Sequence, residues 1–590
     1  MLAWFYFMAP SQEELQKQRV EQARRDSLAA LADTAATQPS QQADTLQEVQ
    51  GPQHALKSSE EEPSSMGIFA DASQKDTVYT TIETPLYRAE FTNVGAGPAK
   101  FTLKQYMTWD DQEVQMIQDT TRSTYALGFL SQQNYNIETN ELVFKQVTPE
   151  NTISLNKGDT KQLSYELPLK DGRKLVYTYT FHSDIYQIDL TVNLDGVRQQ
   201  IAGDKVDLTW SSPLKSSEKN TAQENQSLSA YVFAGGELEQ FKLSDAGKND
   251  HSYNGDIRWV STRNKFFTQL IKPVTPTDGA RLSGEANGDP GEESTIQNYQ
   301  ATIRSDIPND NVVKYKLYIG PLHYNDIKKF DEHAYDMVNV GYSWIRWFSD
   351  PLVRYIIIPF FAFTGRILGN YGIAIILFAI AIKLVLYPLT KKSFKSMAAM
   401  RELQPEMKAL QEKYKDNPQK QQQETMKLYK KAKVNPLGGC LPTLLQFPVL
   451  ITLYRFFQNS ILIRQKTFLW VSDLSAPDML IHMPFHVPFL GDHLGGLVVL
   501  MSATMVVQTQ FTGGMGGGGG NPSMKSFQYV LPVILLFVFN NFAAGLSLYY
   551  LIYNALSIGQ QLMIHKEVDH EQMMASVDKK KAKELKKKNK

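Results

Sequence analysis

The sequence predicts a polytopic α-helical membrane core of five transmembrane helices joined to a large all-β sandwich outside the membrane. Three observations carry that reading. Residues 370–389 (NYGIAIILFAIAIKLVLYPL) are an apolar run broken by one lysine, about the twenty residues a helix needs to cross a hydrocarbon core. Residues 76–328 alternate apolar and polar side chains with period two between turn clusters, with no long helical period. The 61 basic and 61 acidic residues cancel overall but not locally, since residues 391–436 hold 12 basic against 5 acidic side chains. A globally basic nucleic-acid surface is thereby unsupported. With one cysteine, Cys440, neither an internal disulfide nor a cysteine-rich zinc site can form.

Residues 1–8 (MLAWFYFM) are apolar but cover only about 12 Å as a helix. They read as the last turns of a signal-anchor helix, in preference to a short buried or interfacial start. Residues 9–75 are dominated by Gln, Ser, Glu and Ala, too polar to offset the entropy of ordering, and read as a disordered or partly helical tether. Within residues 76–328, Leu175, Tyr177, Tyr179 and Phe181 share one strand face. After a turn at His182, Ser183 and Asp184, the residues Tyr186, Ile188, Leu190, Val192 and Leu194 alternate with polar neighbours, which predicts a hairpin with one buried face. Residues 283–294 read as a surface loop.

Residues 329–369 predict interfacial amphipathic helices, because Arg354, Pro359 and Arg366 interrupt the apolar segment and Tyr342, Trp344, Trp347 and Phe348 precede it. Residues 370–389 are the clearest span. Residues 390–436 predict a cytoplasmic helical hairpin turning at Asp416, Asn417 and Pro418. Four further spans are predicted within residues 437–564, at 437–457, 494–507, 527–539 and 546–563, the last two joined by a tight turn at 540–545. Residues 565–590 form a basic tail. The excess of Lys and Arg in 391–436 and in the tail places both in the cytoplasm and the β domain outside.

Lys383 is the most informative side chain, because a lysine at membrane depth is costly unless solvated or paired. It is either a functional cation or a snorkelling side chain about 9 Å from the predicted helix end. Gln446 lies between Pro442 and Pro448, which free backbone carbonyls that need protein or water partners, so this helix points to a hydrated cavity. In the hairpin, Met397, Met400, Met407, Leu410 and Tyr414 recur at helical spacing with basic flanks. The stripe either zips the hairpin or offers an adaptable contact surface. Lys579, Lys580, Lys581, Lys586, Lys587 and Lys588 suit solvent, a membrane surface or a phosphate-rich partner. His482, His486 and His493 are poorly spaced for a metal, with Pro484 and Pro488 between them. Gly514, Gly516 and Gly519 follow no strand and so read as a flexible loop. No nucleotide-binding or common hydrolase motif is present, so a non-enzymatic chain without cofactor is expected.

Three stretches carry a family resemblance: KLVLYPLTKKSFKSMAAMRELQP from Lys383, VNPLGGCLPTLLQFPVLITLYRFF from Val434, and GLSLYYLIYNALSIGQQLMI from Gly545. With these, the chain resembles the YidC/Oxa/Alb family of membrane insertases. TPLYRAEFTNVGAGPAKFTLKQY from Thr84, GDIRWVSTRNKFF from Gly255 and YIGPLHY from Tyr318 resemble the large periplasmic β-sandwich of Gram-negative members. The resemblance implies an inner-membrane insertase and chaperone that works alone or with the Sec translocon. It implies a cationic groove position, often Arg, at Lys383 and another groove position at Gln446. It further implies a hairpin required for insertion and a tail that assists ribosome docking, with nascent membrane proteins and the lipid bilayer as the other partners. The competing expectation is an envelope carrier or enzyme whose β domain binds a sugar, which would need convergent carboxylates or aromatic platforms; Trp210, Trp259 and Asp256 are the scattered candidates.

Overall fold

The computed structural model describes residue 69 and residues 77–565, apart from 119, 170–171, 212, 416, 433–440, 489 and 512–521. These residues all fall in one structural unit, Pro63–Lys590. The expected anchor at 1–8, all of the tether but Phe69, the glycine loop at 512–521, Cys440 and the basic tail with Lys579, Lys580, Lys581, Lys586, Lys587 and Lys588 lie outside the described residues.

Alternation of side chains builds the β domain. Strand Lys174–His182 pairs antiparallel with Gln187–Asn193, Phe181 opposite Ile188 and Tyr177 opposite Val192, and the predicted inward set is buried on both strands. Among the described residues these strands belong to a nine-stranded sheet, accompanied by sheets of six and five strands. The nine- and six-stranded sheets stack face to face and share one apolar core. Gln269 on the first donates to the Tyr125 hydroxyl on the second at 2.6 Å, and Tyr179 donates to the Ala96 carbonyl at 2.8 Å, tying in the five-stranded sheet. Each of these polar groups is buried, so the bond across the layer is what makes its burial tolerable.

Two expectations need correction here. Residues 283–286 are not loop: strand Thr277–Ala286 runs through them, with Ser283 opposite Gln300 and Ala286 opposite Gln297. Ser283, Gly284 and Ala286 look like turn residues, but a Cβ at Gly284 would press on the Leu243 side chain, the Tyr299 ring and the Asn298 carbonyl. Trp210 and Trp259 are fully buried core residues, so neither offers a sugar-stacking platform, while Asp256 is exposed.

The helical part begins with α1, Arg346–Leu368, whose central turn at Val353–Ile357 is π-helical. Pro359 cannot donate to an i−4 carbonyl, and the wider turn just before it absorbs the missing bond. Val353, Ile357 and Phe361 face inward, while Trp347, Tyr355, Phe363 and Ile367 are exposed. A helix apolar on both faces fits contact with lipid. By length and composition α1 is sufficient to cross a membrane. Gly369 ends it at φ +63°, the left-handed conformation that glycine adopts without a Cβ clash.

The next helix, α2 (Tyr371–Glu402), does not stop at residue 389; it continues through Pro388. The first arm of the predicted hairpin is therefore partly a continuation of the span. After Leu403, α3 (Gln404–Lys413) and α4 (Pro418–Ala432) close the hairpin. The remaining predicted spans correspond to α5 (Leu441–Asn459), α6 (Gly496–Phe511), α7 (Pro522–Phe539) and α8 (Ala544–His565). The helix α8 packs against α2 and α6.

Charge fixes the β domain to this bundle. Asp331 is fully buried yet held below the usual carboxylate range: burial pushes its pKa up, and hydrogen bonds from Lys272 and Arg258 outweigh that. Beyond α5, Arg464 reaches back into the β domain, donating from Nε to Glu218 at 2.6 Å and from Nη2 to the Met107 carbonyl at 2.7 Å. Its guanidinium lies over the rings of Phe266 and Phe267. Beside it is a cleft of about 320 Å³ whose lining includes Trp109, Lys265, Trp470 and Asp473 but none of the sugar-site candidates named above.

Breaking the Arg464–Glu218 pair from one side should expose its worth. Glu218→Ala strands a buried guanidinium and is expected to cost about 3–5 kcal/mol, read as a lower thermal midpoint and faster hydrogen exchange around residues 461–466. The double variant Glu218→Ala/Arg464→Met should recover most of the loss; equal damage in both would show that the ion pair does not hold the junction.

Candidate functional site

The polar centre of the helical bundle is built around α2 and α8. Lys383 lies midway along α2 and is 6% exposed. Its ammonium donates to Ser557 Oγ on α8 at 2.6 Å, and the Ser557 hydroxyl in turn donates to the Tyr553 carbonyl at 2.7 Å. The aromatic rings of Tyr553 and Phe394 stand 4.6 and 5.2 Å from the amine. Phe394 follows Lys383 by about 16 Å of helix rise, so the lysine chain extends toward the C-terminal end of α2. That is the direction a snorkelling side chain takes, yet the amine ends under a ring rather than in solvent. No carboxylate among the described residues pairs with it. A neutral hydroxyl and two ring faces are weaker compensation for a cation than an anion would be.

Gln446 is half-buried on α5 and faces Tyr550 of α8. The structure does not bring it against Lys383. Both residues instead meet α8, at Tyr550 for the glutamine and at Tyr553 and Ser557 for the lysine, positions that share a face because they are three and four residues apart.

That face continues in residues which the sequence reading passed over. Gln560 donates to Thr390 Oγ1 at 3.1 Å. Asn554 and Gln561 are buried with amide atoms that have no partner among the described residues, as are the hydroxyls of Tyr549 and of Ser502 on α6. Buried polar atoms are normally satisfied, so these require water or a polar guest. The signal was present in the sequence: Asn554, Ser557, Gln560 and Gln561 repeat at three and four residues inside an otherwise apolar stretch.

The hairpin residues divide. Met407 is buried with Leu403 and Tyr429, and Met400 packs on that cluster; the Tyr429 hydroxyl donates to Met407 Sδ at 3.1 Å. Met397, Leu410 and Tyr414 are half-buried. His493 is buried between Asp492 and the Asn540 carbonyl, and its backbone accepts from Asn540, so it braces the turn between α7 and α8. Among the described residues no cluster of His, Cys, Asp or Glu is placed to hold a metal.

The family described as YidC periplasmic domain matches residues 79–355, and that described as 60Kd inner membrane protein matches residues 363–572. A membrane protein insertase YidC of Chlorobaculum tepidum is 34% identical over 584 residues, covering 98% of this chain and 94% of that protein. The chain belongs to the YidC family. A second YidC relative, from Chloroherpeton thalassium, is 33% identical over 100% of this chain and 97% of its own length. A crystal structure of an active YidC insertase with its first transmembrane domain resolved covers 83% of this chain and 93% of its own, at 19% identity and a TM-score of 0.33. The protein is therefore a membrane protein insertase of the inner membrane, with its β-rich domain in the periplasm and its helical part in the membrane. YidC insertases are not enzymes; they move polypeptide into lipid.

Replacing Lys383 and replacing its partner should move stability in opposite directions. Lys383→Met removes a buried charge and is expected to raise the thermal midpoint in detergent. Ser557→Ala leaves the ammonium without its acceptor and should lower stability by about 1–3 kcal/mol. A destabilised Lys383→Met variant would show that the lysine is there for structure.

Proposed function

We propose that the polar face shared by α2, α5 and α8 lines a hydrated groove, and that Lys383 draws the short polar, often acidic, terminus of a nascent membrane protein into it. The observation that supports this reading is a buried ammonium that has only a hydroxyl and aromatic rings for company. A client carboxylate offers what the protein withholds. Bringing an anion to this cation lowers the cost of moving polar residues through a low-dielectric layer. The client's apolar helix then leaves sideways, and burial of about twenty apolar residues in lipid drives the step without nucleotide hydrolysis. Gln446 supplies a second polar contact along the path.

On the same reading the chain spans the membrane five times from α2 onward. Its hairpin and C-terminal tail lie in the cytoplasm, and α1 lies in the interface. The charge of residues 391–436 and of the tail supports that orientation, and Arg354, which pairs with Asp336, supports an interfacial α1. Met397, Leu410 and Tyr414 are then the hairpin side chains available to a client or a Sec translocon, with Met400 and Met407 holding the two arms together. The lysines at 579–581 and 586–588 meet the ribosome or the membrane surface.

The test is reconstitution of the full chain in proteoliposomes without Sec, scored by protease protection of a single-spanning client with an acidic tail. Lys383→Glu should reduce protection by about tenfold or more, the equivalent of 1.4 kcal/mol, and Lys383→Arg should retain most of it. A client with a neutral tail should be much less sensitive to either change. Undiminished insertion by Lys383→Glu would remove the charge from the mechanism.

A further inference from the structure

A second cation without a counter-ion stands at the opposite end of the bundle. Arg455 lies one turn before the end of α5, the end from which the chain runs on to Arg464 and the β domain. That end therefore faces the periplasm. The guanidinium carbon lies over the ring of Tyr342, 4.2 Å from its centroid, and 5.8 Å from that of Tyr454. Its Nε is buried and has no hydrogen-bond partner among the described residues.

Within α1, Arg354 pairs with Asp336 and Arg346 with one oxygen of Asp350, whose Oδ1 is buried without a hydrogen-bond partner among the described residues. Arg455 pairs with no carboxylate among the described residues, and the helix C-terminus above it supplies only a fractional negative charge. A guanidinium that rests on a tyrosine ring with its buried Nε unpaired among the described residues is poorly compensated by those residues. Around it the surface is aromatic: Tyr342 is 39%, Trp344 62% and Trp347 78% exposed. Exposed tryptophans beside an apolar helix mark the level of lipid headgroups. An anion that arrives at that level already attached to apolar tails is a phospholipid.

We propose that Arg455 and Tyr342 form a binding site for the phosphodiester of a phospholipid in the periplasmic leaflet, with the lipid's acyl chains descending along the exposed apolar face of α1. Arginine suits this ligand because its planar fork can give two parallel hydrogen bonds to phosphate oxygens. The ring of Tyr342 fixes the plane of the fork, and the exposed tryptophans sit beside the glycerol region. Such a lipid would seat the start of α1 against the end of α5 independently of the groove at Lys383.

The experiment titrates the purified full chain, delipidated in detergent, with phosphatidylglycerol, and reads bound lipid by native mass spectrometry and the thermal midpoint. Diacylglycerol and inorganic phosphate serve as separate titrants. Phosphatidylglycerol should bind and raise the midpoint, while the other two do neither. Arg455→Gln should weaken phosphatidylglycerol binding about tenfold, the loss of one charge-assisted contact, and Arg455→Lys should weaken it less. Should Arg455→Gln fail to fold, Tyr342→Leu and Arg455→Lys carry the test, both with a measurable loss. Unchanged phospholipid affinity in folded variants overturns the site, as does equal stabilisation by diacylglycerol. Equal stabilisation by inorganic phosphate also overturns it, by assigning the arginine to a free anion.

Discussion

A lysine inside a membrane bundle sets the terms for the helices around it. Removing an ammonium from water costs several kcal/mol even after relaxation, and in lipid there is no solvent to return the loss. The helices of this protein answer with a hydroxyl from α8, two aromatic faces and a run of amides and hydroxyls farther along the same helix. The spacing of Tyr553, Ser557 and Gln560 follows from that requirement, because only residues three and four apart present one side of α8 to α2. So does the continuity of α2 through Pro388, which carries Phe394 back over the amine.

The periplasmic side solves a different problem with stronger means. There, charges that cross between segments are paired: Arg464 with Glu218, both nearly dry, and partly exposed Arg258 and Lys272 with the buried Asp331. Buried pairs contribute little net stability compared with apolar packing, but they tolerate only one geometry. Their positions along the chain are telling. One lies just beyond α5 and the other just before α1, so the β domain grips both chains that lead into the membrane core. The contrast with Lys383 is one of partners: these charges have anions, and Lys383 has none among the described residues.

Much of this was legible in the sequence, for identifiable reasons. Period-two alternation revealed the hairpin of residues 174–193 because one face is buried and the other wet, so composition reports geometry directly. Long apolar stretches revealed the helices for the same reason. What failed was wherever local composition and tertiary environment disagree. Ser283, Gly284 and Ala286 look like turn residues but are strand residues, Gly284 packed beside Leu243 and Tyr299. Pro388 looks like a helix stop, yet α2 runs through it. Trp210 and Trp259 look available in a sequence and are sealed in the core. The polar repeat on α8 was overlooked because a hydropathy average hides four amides and hydroxyls among twenty-two residues. The pairing of Arg464 with Glu218 spans 246 positions, and nothing local to either residue announces it.

For the proposed role of Lys383 toward a client, the identity of its partner is the strongest argument. Had a carboxylate been placed on α8 at position 557, the pair would gain Coulombic energy that grows steeply as the dielectric falls, and a client's acidic terminus would have to displace a bound anion of equal strength. A serine hydroxyl gives the ammonium one good hydrogen bond and no charge, so an incoming carboxylate improves on it without first breaking an ion pair. Lysine rather than arginine suits the same arrangement. A compact ammonium with rotatable donors can turn from Ser557 toward a client from several directions, whereas a guanidinium fork commits to one plane. What the lysine loses is bidentate selectivity among anions, a modest loss if the proposed groove takes unrelated polar termini.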